Sequence, residues 1–287
     1  MRIDENEILV ESEVDYTFKV LGPLFVRVNG RACTPSASKV RQVLALSLFR
    51  VNQIVSLDAM IEELWGDRPP RTAATIVQTY IYQLRKILAR CAGVAAANAT
   101  IHTAPPGYVL SVPVERVDCH QFEIAVRRGQ TLLEQGQARQ AETQLSQALG
   151  MWNGAVLVNT EHGSLLSGDV AQLEEKRMLA LELRLRANMQ LGRHREILAE
   201  LKSLVAAHPF NEWLHGQLMV ALYRSGRRGE ALAAYQTARK LLDDELGLEP
   251  SADLRRIHQE LLNTDVECLS GMHGRLTLEP VRLPAAG

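Results

Sequence analysis

The chain contains 287 residues, a length typical of two domains rather than of one small module. Its composition, 46% hydrophobic and 23% charged, excludes disorder as the dominant state. The formal net charge of −1 is unevenly distributed, with −5 in residues 1–15, +6 in residues 16–115 and −2 in residues 116–287. No segment is apolar enough to span a bilayer and the acidic N-terminus lacks a signal-peptide pattern, so the sequence predicts a cytoplasmic protein.

The positive block begins with a pattern that predicts a small sheet. Its apolar residues occupy alternate positions, and two turn dipeptides, Gly22-Pro23 and Asn29-Gly30, interrupt the alternation. The apolar positions are Phe18, Val20, Leu24, Val26 and Val28. Period-2 alternation broken by such dipeptides is typical of short antiparallel strands.

Three segments with helical spacing follow the predicted strands. Ser36 or Ser38 can cap the first, and Ser56 directly precedes the second. The third runs over about residues 71–90 and begins after Pro69-Pro70. Because proline cannot continue a helix but is accepted near its start, these two prolines separate the second helix from the third.

A hairpin is predicted after the third helix. An Ala/Gly/Asn-rich stretch at 92–99 leads into residues 101–110, where two β-leaning runs flank the turn Pro105-Pro106-Gly107. The positive block, taken as a domain of residues 16–115, is therefore predicted to contain strands, three helices and a hairpin in that order.

The remainder of the chain is predicted to be an all-α repeat domain at 116–268. Residues 187–193 recur as residues 221–227, an offset of 34, and a weaker copy of the turn lies at 135–138. Thirty-four residues is the period of tetratricopeptide repeats, in which a glycine sits where two antiparallel helices meet closely. Any pair of antiparallel helices can produce a similar pattern. Residues 269–287 lack periodicity and are predicted to form a flexible tail, as residues 1–15 form an acidic extension.

The third helix carries the clearest functional signal. Four apolar residues at i, i+4, i+7 and i+11 form one ridge that must pack inward: Val77, Ile81, Leu84 and Leu88. The opposite face then presents Thr75, Gln78, Thr79, Tyr82, Gln83 and Lys86, with Arg85 and Arg90 on its flank. No acidic residue occurs anywhere in 71–90, which is unusual for a surface helix.

Such a face has the chemistry of a helix that binds the major groove of DNA. Amides and hydroxyls can pair with base edges, and cations can meet phosphates. The positive charge of the block agrees with a polyanionic partner. The alternative is an ordinary solvated polar face, which the residues of this helix alone do not exclude.

The order of elements is that of a winged helix-turn-helix, and short motifs make the resemblance more specific. Leu64-Trp65-Gly66, the segment 79–86 and the wing segment 103–108 resemble the response-regulator-type winged-helix output domain. Together with the helical repeats behind it, the chain resembles the Streptomyces antibiotic regulatory protein family of transcriptional activators. The expected fold is mainly α with a small β component, an N-terminal winged helix-turn-helix followed by a tetratricopeptide-like bacterial transcriptional activation domain.

The resemblance implies roles for particular residues. The candidate base contacts are Thr75, Gln78, Thr79, Tyr82 and Gln83. The candidate phosphate contacts are Lys39, Arg41, Trp65, Arg71, Thr72, Arg85, Lys86 and Arg90. The candidate wing contacts are Thr103, Gly107 and Tyr108.

The resemblance also implies partners. We expect double-stranded promoter DNA bound as direct repeats upstream of antibiotic or other secondary-metabolite genes, RNA polymerase holoenzyme, and a homodimer on DNA within the nucleoid. Fewer than twenty residues precede the first predicted strand and no G-x-x-x-x-G-K-[ST] motif occurs, so neither aspartyl phosphorylation nor ATP sensing within this chain is expected. The runner-up is a tetratricopeptide-type adaptor that does not bind DNA.

The sequence gives little support for a metal site, a disulfide framework or a catalytic site. The four cysteines, at 33, 91, 119 and 268, match neither a zinc pattern nor a disulfide framework and are predicted to be reduced thiols. The histidines form no ligand motif, and no G-x-S-x-G motif is present. No metal, no cofactor and no enzymatic activity are therefore expected.

Overall fold

The computed structural model describes residues 14–263, so most of the predicted acidic extension and all of the predicted tail lie outside the described residues. The described part is mainly helical with two small sheets, as the sequence predicted. The strands are β1 (Tyr16–Lys19), β2 (Phe25–Val28), β3 (Arg31–Ala32), β4 (Ile54–Ser56), β5 (Ile101–Ala104) and β6 (Gly107–Leu110). The helices of the winged-helix segment are α1 (Ser38–Phe49), α2 (Leu57–Trp65), α3 (Ala73–Ala92) and α4 (Val94–Thr100).

The first sheet is the predicted antiparallel one, in the order β1-β2-β3. Tyr16 pairs with Val28 at one end of the β1–β2 ladder. Asn29 and Gly30 form the β2–β3 turn with φ of 48° and 77°. A type I′ hairpin turn needs positive φ at both central positions, which explains the Asn-Gly dipeptide.

Of the two predicted helix caps, the cap of α2 is confirmed and the cap of α1 is not. Ser56 caps α2, where its hydroxyl accepts a hydrogen bond from the Ala59 amide at 3.1 Å. The predicted cap of α1 is wrong, since the N-cap position falls on Ala37 and no side chain bonds to the helix start. The backbone there is instead held by Arg41, whose guanidinium donates to the Ser36 carbonyl at 2.6 Å.

The second sheet forms the wing and contains a strand that the sequence did not reveal. Its order is β4-β6-β5, and the predicted hairpin is β5–β6. β4 is three residues long and pairs Val55 with Tyr108 of β6. The Ala/Gly/Asn-rich stretch, which carried no predicted element, forms α4 because alanine is the strongest helix former.

Seven helices occupy the rest of the described chain. They are α5 (Asp118–Glu134), α6 (Ala138–Leu149), α7 (Ser164–Gln190), α8 (Leu198–Ala207), α9 (Glu212–Arg224), α10 (Arg228–Leu246) and α11 (Ala252–Asn263). The 34-residue offset relates the α7–α8 turn to the α9–α10 turn.

The repeat glycines serve a different purpose from the predicted one. Gly136, Gly192 and Gly226 have φ of 73°, 74° and 80°, and a Cβ atom at any of them would meet nothing within 4 Å. They are therefore needed for the left-handed backbone that ends a helix, and not for close packing. Close packing occurs at Gly129 of α5, where a Cβ would lie 2.6 Å from the Leu145 side chain.

The chain divides into two compact units within α6 and α7. Among the described residues, one comprises 14–134 and Thr143–Leu183, and the other comprises Gln135–Glu142 and 184–263. The first unit therefore contains the winged-helix segment together with α5, the second half of α6 and most of α7. The domain boundary at 115/116, which the change in sequence pattern predicts, stays a prediction.

Three polar side chains connect elements within the first unit. Asp118, at the start of α5, accepts hydrogen bonds from the amides of Val20 and Leu21 at 2.8 and 3.2 Å. Asn159 bonds through its amide group to both the N–H and the C=O of Leu24. Burial raises the pKa of the Asp118 carboxyl, even though these amides favour its charged form.

The third connection, through Glu63 of α2, is buried. Its carboxylate accepts from the amides of Gly163, Leu165 and Leu166 at 2.5, 3.0 and 3.0 Å, and from the Gln42 side chain at 2.8 Å. The free N–H groups at the start of α7 are thus satisfied by a side chain about a hundred residues earlier in the chain.

The second unit has its own apolar core. α9 lies at its centre and packs against α8, α10 and α11. Leu214, Met219 and Ala221 of α9 are completely buried there. The rings of Tyr235 and His258 stack at the α10–α11 contact with centroids 3.8 Å apart.

Candidate nucleic-acid interface

α3 buries the predicted ridge and exposes the predicted face. Val77 is fully buried, and Ile81, Leu84 and Leu88 are each 2% exposed. The ridge packs on α1 and α2. The prediction that this side of the helix faces inward is therefore confirmed, and the 3.6-residue period fixes the opposite side toward solvent.

The five candidate base contacts lie together on that outer side. Thr75, Gln78 and Thr79 are exposed, Tyr82 is 63% exposed, and Gln83 is half-buried. The Thr79 hydroxyl donates to the Thr75 carbonyl within the helix at 2.9 Å. These side chains offer hydroxyl, amide and phenol groups on one continuous surface, which we name the α3 face.

Cations and a threonine flank the α3 face at both ends. Arg71 and Thr72 are exposed in the segment just before α3, and Lys86 and Arg90 are exposed in its second half. Trp65, at the end of α2, is half-buried. Arg68, which the sequence analysis did not single out, is also exposed, three residues before Arg71. The sequence could have identified Arg68, because Arg68 and Arg71 flank the same pair of prolines.

Two other candidate phosphate contacts already use their donors within the chain. Lys39 donates to the Leu64 carbonyl at 3.1 Å and pairs with Glu161, also at 3.1 Å. This ion pair lowers the pKa of the Glu161 carboxyl. Arg41 donates to the carbonyls at positions 35, 36 and 159. Both side chains therefore have local roles in joining α1 to neighbouring segments.

Arg85 contacts two of the three candidate wing residues, Thr103 and Tyr108. The Arg85 guanidinium donates from Nε to the Ile101 carbonyl at 2.8 Å and from Nη2 to the Thr103 hydroxyl at 3.1 Å. It also lies 5.9 Å from the centre of the Tyr108 ring. Gly107 is buried against β4, where a Cβ would come within 2.7 Å of the Ser56 Cα. The sequence could not reveal these contacts because their partners are far apart in the chain.

The remaining titratable groups form no further site in the described residues. No group of three or more His, Cys, Asp and Glu side chains lies close enough to hold a metal ion between residues 14 and 263. Cys33, Cys91 and Cys119 are free thiols. Burial and the neighbouring Cys91 raise the pKa of the Cys33 thiol to about 12. The helices over this same range include none with the length and hydropathy of a membrane span.

Comparison with known proteins places the chain among transcriptional regulators. Residues 117–262 match the family described as the bacterial transcriptional activator domain. The regulatory protein DnrI of Streptomyces peucetius is 39% identical over 249 residues, which cover 86% of this chain and 92% of DnrI. The transcriptional regulator RedD of Streptomyces coelicolor is 36% identical over 246 residues, covering 86% of this chain and 70% of RedD.

A solved structure supports the same relationship. Mycobacterium tuberculosis EmbR, in complex with a low-affinity phosphopeptide, superposes with a TM-score of 0.82 at 34% identity. The match covers 87% of this chain and 65% of the EmbR chain, so this chain spans less than two thirds of that protein. An N-terminal winged helix followed by tetratricopeptide-like helices is the shared architecture, and the adaptor alternative is not favoured. The chain belongs to the Streptomyces antibiotic regulatory protein family of transcriptional activators.

Proposed function

We propose that the chain activates transcription by inserting the α3 face into the major groove of promoter DNA. The observation that carries this proposal is the burial of the α3 ridge, which leaves an acid-free surface of amides and hydroxyls facing solvent. Those groups match the donors and acceptors of base edges. The proposed base contacts are Thr75, Gln78, Thr79, Tyr82 and Gln83.

The proposed phosphate contacts surround that face. Lys86 and Arg90 lie in the second half of α3, Arg71 and Thr72 directly precede the helix, and Trp65 ends α2. We leave Lys39 and Arg41 out of this set because acceptors within the chain already use their donors. The net charge of +6 in residues 16–115 adds a sequence-independent attraction to the duplex.

Family membership supports a wider proposal about how the protein acts. We propose that two copies bind direct repeats as a homodimer, upstream of antibiotic or other secondary-metabolite genes, and engage RNA polymerase holoenzyme there. The protein would act on the nucleoid in the cytoplasm and perform no chemistry itself. Each of these steps requires the protein to occupy promoter DNA, so the decisive measurement is binding to DNA.

The Lys86→Ala variant tests the electrostatic part of this proposal. If Lys86 meets one phosphate, its loss should weaken binding to all duplexes alike and lower the slope of log K against log [salt] by about one. Fluorescence anisotropy of the full chain at several salt concentrations measures both quantities. An unchanged slope would remove Lys86 from the phosphate contacts.

The glutamines test base recognition. Gln78→Ala and Gln83→Ala should each lose about 1–3 kcal/mol on the cognate duplex, with little change on random DNA, because a base-edge hydrogen bond exists only on the correct sequence. The cognate site is first located by footprinting the promoter nearest the chain's own gene. Equal losses on both duplexes would show that the glutamines do not read sequence.

The spacing of the two half-sites provides a separate test. Direct repeats set about 10–10.5 bp apart place both recognition helices on one side of the duplex. Inserting 5 bp between the repeats should abolish cooperative binding while each half-site keeps its own affinity. Inserting 10 bp serves as the control, since it restores the helical phase. Cooperative binding that ignores phase would contradict the direct-repeat arrangement.

A further inference from the structure

We infer that Arg85 is a positioning residue, which holds the wing at a fixed distance from the recognition helix α3. The inference rests on the proposed DNA-binding function and revises one detail of it, since the sequence suggested a phosphate contact for Arg85. The wing and α3 would then reach the duplex as one preformed unit.

The Arg85 side chain makes three contacts with the wing. Its Nε bonds to the backbone of Ile101 at the start of β5, and its Nη2 bonds to the hydroxyl of Thr103 two residues further along. The ring of Tyr108 on β6 lies within cation–π distance, at 5.9 Å. One side chain of α3 thus contacts both strands of the hairpin.

The strand register explains why these groups converge. Thr103 is paired directly with Tyr108 across the hairpin, so both side chains lie on the same face of the wing. Ile101 shares that face, because residues two apart on a strand point to the same side. Ile101 is 3% exposed and Thr103 is exposed, so this face runs from the core at the start of β5 to the surface near the turn.

The chemistry favours arginine at this position. A guanidinium presents its donors in a rigid planar fork, and here Nε and Nη2 use two of them on acceptors two residues apart. A lysine has a single ammonium on a flexible stem and cannot reproduce that geometry. A simple phosphate contact would depend chiefly on the positive charge, which lysine also provides.

A double-mutant cycle on the full chain tests the inference. The variants are Arg85→Ala, Thr103→Val and the pair of both, with Arg85→Lys as the charge-preserving variant. Each is titrated with the cognate duplex, and thermal melting shows whether it is folded. Arg27→Ala is the matched control, since it removes one exposed cation from the outward side of β2.

Positioning predicts a distinctive pattern. Arg85→Ala and Thr103→Val should each weaken cognate binding, Arg85→Ala by about tenfold, and the pair should lose less than the sum because both break the same contact. Arg85→Lys should bind about as weakly as Arg85→Ala. Arg27→Ala should stay within about twofold of the unmodified chain. In the free protein, the amides of β5 and β6 should exchange hydrogen faster in both single variants.

The opposite pattern overturns the inference. Additive losses in the cycle, or recovery of affinity in Arg85→Lys, would show that Arg85 acts as a charge on a phosphate. If Arg85→Ala does not fold, Thr103→Val decides through hydrogen exchange in the free protein, because a lost contact to DNA would leave the exchange of the β5 and β6 amides unchanged. Failure of the unmodified chain to bind any duplex would instead refute the proposed function, and the two failures are therefore distinguishable.

Discussion

The Glu63→Ala variant is expected to lose about 3–5 kcal/mol of unfolding free energy, because buried hydrogen-bonded groups would be left without a partner. The Glu63 carboxylate is 2% exposed and accepts from three backbone amides at the start of α7 and from Gln42. Alanine offers none of these amides an acceptor, and the amide of Leu166 is buried away from water. Urea denaturation followed by circular dichroism measures the change.

The adjacent residue provides a matched control. Glu62 is exposed, and its side chain accepts a hydrogen bond from the Ser164 hydroxyl at 3.1 Å. Glu62→Ala removes the same chemical group from the same helix, yet it should change stability by at most about 0.5 kcal/mol. Similar losses in the two variants would mean that general charge effects, and not the capping of α7, explain the result.

The second large effect is expected at Gly107. Gly107→Ala should lower stability by about 3 kcal/mol and weaken binding to DNA, because the added Cβ meets backbone that cannot rotate away. The nearest atoms are the carbonyl oxygen of Val55 and, at 2.7 Å, the Cα of Ser56. Strands β4 and β6 would have to separate, which displaces the wing from its support. Thermal melting and anisotropy with the cognate duplex measure the two consequences.

Another glycine shows whether the effect is specific to the wing. Gly168 lies in α7, and a Cβ added there would meet nothing within 4 Å. Gly168→Ala should therefore leave DNA binding unchanged and raise stability by up to about 1 kcal/mol, since alanine favours helix over glycine. Normal melting and normal binding by Gly107→Ala would refute the proposed packing role of Gly107.

Local pattern was sufficient to predict much of the fold. The spacing of Val77, Ile81, Leu84 and Leu88 located the buried side of α3, because a regular helix converts spacing directly into direction. The Asn-Gly turn and the Ser56 cap were predictable for the same reason, as each depends on residues within four positions. The wing hairpin was likewise visible as two short runs around a turn.

Features that depend on distant residues were not predictable. β4 is three residues long and owes its existence to β6, more than fifty positions away. Glu63 resembles any acid on an amphipathic helix until its partners near residue 163 are known. The role of Arg85 was unpredictable for the same reason. Its sequence position suggests an exposed cation, whereas its contacts join it to the wing.

The repeat glycines illustrate a subtler error. Their recurrence was correctly noticed, but recurrence alone does not distinguish a residue needed for space from one needed for backbone conformation. Gly192 and Gly226 have positive φ and empty surroundings, so conformation is the reason. Gly129 does meet a neighbouring side chain, and it lies outside the repeated motif.

The hydrogen bonds of Glu63, Asp118 and Asn159 bear on how hybrid regulators should be assembled. A hybrid with its junction at residue 116 would take residues 1–115 from one parent and the rest from another. Val20 and Leu24 would then face residues of the second parent, and Glu63 would face the start of a foreign α7. Grafting only the solvent-facing positions of α3 onto an otherwise intact chain keeps every one of these pairings native. New operator preferences are therefore better transplanted as a handful of side chains than as a whole amino-terminal half.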